Sequence, residues 1–238
     1  MSDYPLIPAW TCPIARTLEF QTQVFKGDSS VEQRIMIHAG RQSWSLPYTK
    51  LSLADRDALL AAFEGAKGSY SQDLNLTFDG VVYTGCFFDG DELSFVESDP
   101  LVFNGTVKIG QVVRAPDAGA LPGDFPLLGT GAPTQRPYTH ARNFDTVSVR
   151  TEGGRFAFDK RPSSLRTWSV GGACLTTAEA QAIWDQFRLA AGQYRAFGYA
   201  DFDSGVRYPS CRFGSDTLQW QILGPNQNSV QAQIRQLA

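Results

Sequence analysis

A chain of 238 residues with 42% hydrophobic and 12% aromatic residues is long enough for two cored domains of roughly 100 residues each. Its formal charge of −3, with Lys and Arg scattered, excludes the broad basic patch that tight binding of a phosphate backbone needs. No run approaches the roughly 20 apolar residues of a membrane helix, and residues 1–10 lack the apolar core of a signal peptide, so the expectation is a soluble chain made in the cytoplasm. Only 19% of residues are charged, against about 25% in an average soluble domain, which points to surface used in contacts.

Residues 1–17, with Pro5, Pro8 and Pro13, read as an N-terminal arm, either laid on a neighbour or left loose. A first domain is expected over 18–112. It opens with Leu18-Glu19-Phe20-Gln21-Thr22-Gln23-Val24-Phe25, whose alternation marks a half-buried strand. A polar turn at 26–30 leads to a strand pair ending at Trp44-Ser45. Ser52-Leu53-Ala54-Asp55 then has the spacing of a capping box, in which a hydroxyl and a carboxylate satisfy orphan N–H groups at a helix start. Leu59, Leu60 and Phe63 give one apolar stripe, and Gly68 supplies the stop. Alternation resumes from Tyr70 to Phe78, turns at Asp79-Gly80 and continues from Val81 to Phe88, a strong hairpin signal. Closing strands follow at 92–96 and 101–109. Residues 113–137, punctuated by Pro116, Gly119, Pro122, Gly123, Pro126, Gly129, Gly131, Pro133 and Pro137, read as an extended linker or long loop.

From 138 to 238 the same grammar recurs. Trp44, Ser45, Leu51, Ala54, Ala58, Phe63, Ala66, Gly68 and Tyr70 reappear, 124 residues on, as Trp168, Ser169, Leu175, Ala178, Ala182, Phe187, Ala190, Gly192 and Tyr194. Phe20 and Thr22 match Phe144 and Thr146. After one inserted residue, Val81, Tyr83, Cys86, Phe88, Asp91 and Leu93 match Val206, Tyr208, Cys211, Phe213, Asp216 and Leu218. Thr176-Thr177-Ala178-Glu179 repeats the capping box, and a turn at Asp203-Ser204-Gly205 is expected to follow a strand from Tyr194 to Phe202. An internal period fixes the domain plan. The expected fold is mainly β with α (α+β): two homologous antiparallel β-sandwich or barrel domains, each with one packed helix.

Chemistry-bearing residues are sparse. His38 and His140 stand outside any metal-binding spacing, no nucleophile-elbow or P-loop motif occurs, and Asp201 with Asp203 is what alternating strand positions before a turn produce. No catalytic, cofactor-binding or metal residues are predicted, and no cofactor. Cys12, Cys86, Cys174 and Cys211 form no CxxC; Cys86 and Cys211 read as small buried hydrophobes. The acidic stretch Asp89, Asp91, Glu92, Glu97 and Asp99 reads as a solvated hairpin or as a lumen lining that repels DNA. Trp44, Trp168 and Trp184 read as core. A sugar-stacking platform drawn from these with Trp10 and Trp220 is the basis of an alternative function, a secreted or surface module that binds glycan.

Several of these signals together have a familiar order. Arg166-Thr167-Trp168, a helix of the type Leu175-Thr176-Thr177-Ala178-Glu179-Ala180 ending in Phe187, the stop Gly192-Gln193-Tyr194, then Phe197-Gly198-Tyr199 and a strand from Tyr208 to Phe213 resemble the minor tail protein M family and the distal tail proteins of long-tailed bacteriophages. The N-terminal copy matches through Glu32-Gln33-Arg34, Trp44, Phe63 and Gly68, and departs from the family in that members usually carry the domain once. The resemblance implies a tail-tube-like fold and a structural virion protein at the tail tip, assembled in the host cytoplasm. It also implies partners: copies of itself in a ring, the tail tube protein and the tail hub protein, with DNA passing through the lumen rather than bound. Three chains would give a pseudo-sixfold ring; six chains are the alternative.

Overall fold

The structure, a computed structural model, describes residues 2–5, 11–26, 32–70, 74–113, 122–129, 140–150 and 156–237. Residues 27–30 of the turn expected at 26–30, Trp10, and the side chains of His38 and His140 lie outside the described residues. In chain order the elements are β1 (Ser2–Asp3), β2 (Ile14–Lys26), β3 (Glu32–Ser52), α1 (Leu53–Gly65), β4 (Leu74–Phe78), β5 (Val81–Phe88), β6 (Phe95–Asp99) and β7 (Val102–Val113). Then come β8 (His140–Arg150), β9 (Phe156–Leu175), α2 (Thr177–Ala190), β10 (Phe197–Ala200), β11 (Arg207–Phe213), β12 (Thr217–Gly224) and β13 (Gln227–Gln236). The fold is β-rich α+β. Every pairing is antiparallel except that of β1 with β4.

Both helices start as the sequence predicts. Ser52 Oγ accepts from the Asp55 N–H at 3.2 Å while the Asp55 carboxylate accepts from the Ser52 N–H; Thr176 Oγ1 and Glu179 do the same, at 3.3 and 2.9 Å. Two orphan donors are satisfied at each N-terminus. The Asp79-Gly80 turn has positive φ at both residues, 53° and 77°, as a tight type I′ hairpin requires. In the C-terminal half, β10 stops at Ala200, short of the expected Phe202. There the Asp201 carboxylate accepts from the Asp203 N–H and the Ser204 hydroxyl and winds the chain into a turn.

The two halves use one pairing scheme. In the N-terminal half the sheet runs β4-β5-β7-β3-β2 with β6 on β7; in the C-terminal half it runs β10-β11-β13-β9-β8 with β12 on β13. The registers coincide as well. Arg16 faces Trp44 as His140 faces Trp168, and Thr22 faces Met36 as Thr146 faces Lys160. Trp44 faces Ile109 as Trp168 faces Ile234, and Phe95 faces Gly105 as Trp220 faces Val230. A one-residue slip would turn every inward side chain outward, so matched registers mean matched cores.

The halves are not separate sheets. β2 pairs with β12 and so joins all 13 strands into one sheet. Leu18 and Phe20 of β2 are buried in the C-terminal core with Trp168, Phe187 and Phe213, while Ile14 belongs to the N-terminal core with Trp44, Leu59 and Phe88. The boundary expected at residue 18 therefore cuts through a strand that begins at Ile14 and serves both cores.

Where it is described, the N-terminal arm is docked on its own chain. β1 extends β4, and the buried Tyr4 and Tyr48 hydroxyls meet at 2.9 Å. The linker is also docked where it is described: Phe125 and Leu128, each 4% exposed, enter the C-terminal core. Gln186 Nε2 donates to the Gly123 carbonyl at 2.9 Å, Arg207 forks onto Asp124, and the Gly129 N–H donates to Glu179 at 2.6 Å.

That docking is expected to weaken in acid. The Gly129 N–H, followed by that of Thr176, holds the Glu179 carboxyl below the usual carboxylate range, and Arg207 does the same for Asp124. A depressed native pKa contributes stability that is complete above the unfolded value and lost as pH falls through the native one. Hydrogen exchange, corrected for intrinsic rate, should show protection at the Gly129 amide falling as pH drops below about 4. Glu179→Gln should give the same loss at neutral pH; unchanged protection in both cases would reject this account.

Candidate assembly interface

The junction of β2 with β12 is the most elaborate polar site among the described residues. Its ladder sets Glu19 against Thr217, Leu18 against Leu218, Arg16 against Trp220 and Ile14 against Ile222. Alternation then places Leu18, Arg16 and Ile14 inward on β2, with Leu218 and Trp220 inward on β12. Where this ladder ends, Asp216 takes over. Its carbonyl accepts from the Phe20 N–H at 2.8 Å. Its carboxylate accepts from the Thr22 N–H at 2.7 Å, the Thr22 hydroxyl at 3.1 Å and the Gln193 N–H at 2.8 Å. Bonds to a charged acceptor contribute about 1.5–3 kcal/mol each when desolvated, and these tie β2 to the end of α2. Gly192 is required beside them: at φ +63° a Cβ there would sit 2.6 Å from Asp216 Oδ1.

Arg16 seals the centre of the junction. It is 4% exposed, and its guanidinium carbon lies 4.4 Å from the ring centroid of Trp184, 5.1 Å from Trp220, 5.5 Å from Tyr83 and 5.8 Å from Trp44. Nη2 donates to the Tyr83 hydroxyl at 3.2 Å, and the Gln42 amide oxygen accepts from Nε and Nη2 at 2.9 Å. Burial pulls its pKa down, while Tyr83 and Asp185 pull it back up. Two of the four rings belong to each half, so one cation bridges both cores. Its signal in the sequence is an Arg on the inward phase of the alternation Ile14, Arg16, Leu18, Phe20.

The corresponding edge of the N-terminal half carries no such ladder. β6 pairs only with β7, and among the described residues its other edge has no strand on it; the same holds for β8, which pairs only with β9. Asp91, the counterpart of Asp216, accepts among the described residues only from the Ser69 N–H and hydroxyl. Val96 is 71% exposed.

The remaining predicted features sort plainly. Asp89 pairs with Arg41 and Glu97 accepts from the Leu101 N–H, so the acidic stretch is partly committed to holding its own turns. Trp44, Trp168, Trp184 and Trp220 are each 1–2% exposed, and buried rings present no face to a sugar. Cys86 and Cys211 are buried, which raises their thiol pKa values to about 11 and about 12; Cys12 and Cys174 are exposed. Among the described residues no group of three His, Cys, Asp or Glu side chains could hold a metal ion, and no helix is long and apolar enough to cross a membrane. An open cleft of about 830 Å³ lies between Phe20, Gly40, Arg41, Ser69 and Asp89. No family model matches the chain. The curated proteins searched give no match either.

Proposed function

We propose that this chain is a structural virion protein of a long-tailed bacteriophage, a distal tail protein, built from two homologous tail-tube-like domains that arose by duplication. It forms a ring at the tail tip that joins the tail tube to the hub or receptor-binding apparatus and leaves a lumen through which DNA passes. It has no catalytic role. The observation that carries this reading is the coincidence of ladder registers between the halves, joined edge to edge. What repeats is scaffold: caps, helix stripe, hairpins and core aromatics. Halves that already associate side by side through sheet edges support the reading that like units associate on the same plan, which closes a ring when the rotation allows.

The test is assembly. Native mass spectrometry of the purified chain at micromolar concentration should give a discrete complex of three or six chains, and negative-stain images with a tail tube protein should show rings capping the tube. A chain that stays monomeric alone and leaves the tube ends bare overturns the reading.

A further inference from the structure

We propose that copies of this chain associate head to tail through one defined contact: the outer edge of β6 on one copy receives the outer edge of β8 from the next. The register is the one that β12 and β2 hold inside the chain. This deepens the ring proposal above and rests on it for closure of the assembly, not for the contact itself.

Three observations point to a second copy as the occupant of that edge. First, the internal junction is a template whose parts recur on the unpaired edges. Asp216, Gly192 and Phe187 on the receiving side have the counterparts Asp91, Gly68 and Phe63; Phe20 and Thr22 on the donating side have the counterparts Phe144 and Thr146. Gly68 keeps the φ of +63° and leaves Asp91 Oδ1 3.1 Å from its missing Cβ, as Gly192 does for Asp216. Ser69 N–H holds Asp91 as Gln193 N–H holds Asp216. The bonds that Thr22 makes to Asp216 are the ones Asp91 lacks.

Second, the receiving edge has the form of a strand awaiting its partner. β12 begins at Thr217, because residues 217–219 take their ladder from β2. The equivalent residues 92–94 have no strand partner among the described residues, and β6 begins only at Phe95. The side chains tell the same story. Leu218, Trp220 and Phe187 are 1–2% exposed under β2, whereas Leu93, Phe95 and Phe63 are only partly buried at the margin of the N-terminal core. Third, the one charge that opposes Arg16 at the internal junction, that of Arg188 on α2, is replaced on α1 by Glu64. At the register positions of Arg16 and Leu18, the sequence of β8 has His140 and Arg142, so the receiving half carries an acid and the donor strand carries basic residues.

The register follows from the template. Glu92 faces Asn143 of the next copy, Leu93 faces Arg142, Ser94 faces Ala141 and Phe95 faces His140. Each chain has one receiving and one donating edge. The contact is therefore heterologous, and it closes a ring if the rotation allows or runs on as a filament if it does not.

Ser94 and Ala141 are exposed, as are the equivalent Gln219 and, in part, Thr17. Directly opposed residues on antiparallel strands hold their Cβ atoms about 4.5–5.5 Å apart, close to the separation a disulfide spans. In a chain with Cys12→Ser and Cys174→Ser, Thr17→Cys with Gln219→Cys should form an intramolecular bond and serve as the control. Ser94→Cys chains mixed with Ala141→Cys chains and oxidised should yield a linked heterodimer that neither gives alone. Both changes in one chain should convert most of the monomer band into a ladder. Complexes that form without this cross-link overturn the contact while sparing the ring. A ladder with no terminal closed species sinks the closed ring and leaves the contact standing. A chain that neither associates nor cross-links rejects the contact, and images with the tail tube then decide the ring separately.

Discussion

Arg16→Ala should destabilise the chain by about 3 kcal/mol or more, the range for emptying a large buried site, seen as a lower urea midpoint. Three losses combine. The four rings around the guanidinium lose their common partner, the Gln42 amide and the Tyr83 hydroxyl lose a charged one, and a cavity opens where β2 crosses between the cores. Arg16→Met separates these effects. It fills much of the volume and removes the desolvation of a cation, and swaps of that kind run from neutral to stabilising when the packing holds; it should cost less than about 1.5 kcal/mol. Equal damage from Met and Ala would show that the cation itself holds the junction. Arg16→Lys should fall between them, since an ammonium cannot reproduce the planar fork that contacts Gln42 and Tyr83.

The second large effect is an asymmetry between equivalent positions. Phe187→Ala should cost about 3–5 kcal/mol, because Phe187 is 1% exposed and packs against Phe213 at 4.9 Å and Phe20 at 6.0 Å. Phe63 has the first kind of contact, with Phe88 at 5.1 Å, but not the second. Phe63→Ala should therefore cost about half as much in the isolated chain, since a half-buried ring has less apolar area to lose. Denaturant midpoints of the two variants give the comparison. Equal costs would mean that β2 adds nothing to the core it enters.

Local chemistry made much of this fold readable. The capping boxes at Ser52 and Thr176, the Asp79-Gly80 turn and the helix stripes through Phe63 and Phe187 are each decided by neighbours within a few residues. What escaped was decided at long range. Nothing near Leu18 or Phe20 says that they enter a core some 200 residues further along the sequence, at Leu218 and Phe213. Phe125 and Leu128 were hidden because a Pro/Gly-rich setting reads as linker, yet two apolar side chains with the backbone bonds of Phe125 and Gly129 are enough to dock it. The strand expected to run to Phe202 stops at Ala200 because a single carboxylate, that of Asp201, competes with the ladder for backbone donors.

The crossing of β2 into the far core has a consequence for synthesis. A ribosome delivers β2 roughly 200 residues before β12, so the outer edge of β2 waits, unpaired, while the intervening chain is made. Closing a loop of that length is slow, and an open edge is a template for whichever strand arrives first. On a polysome the first to arrive can be the β12 of a neighbouring nascent chain, which has the same sequence and the same register. The junction that makes one molecule of two halves is thus also the place where two molecules can exchange halves, and expression yield should depend on how dilute the chains are while they are being made.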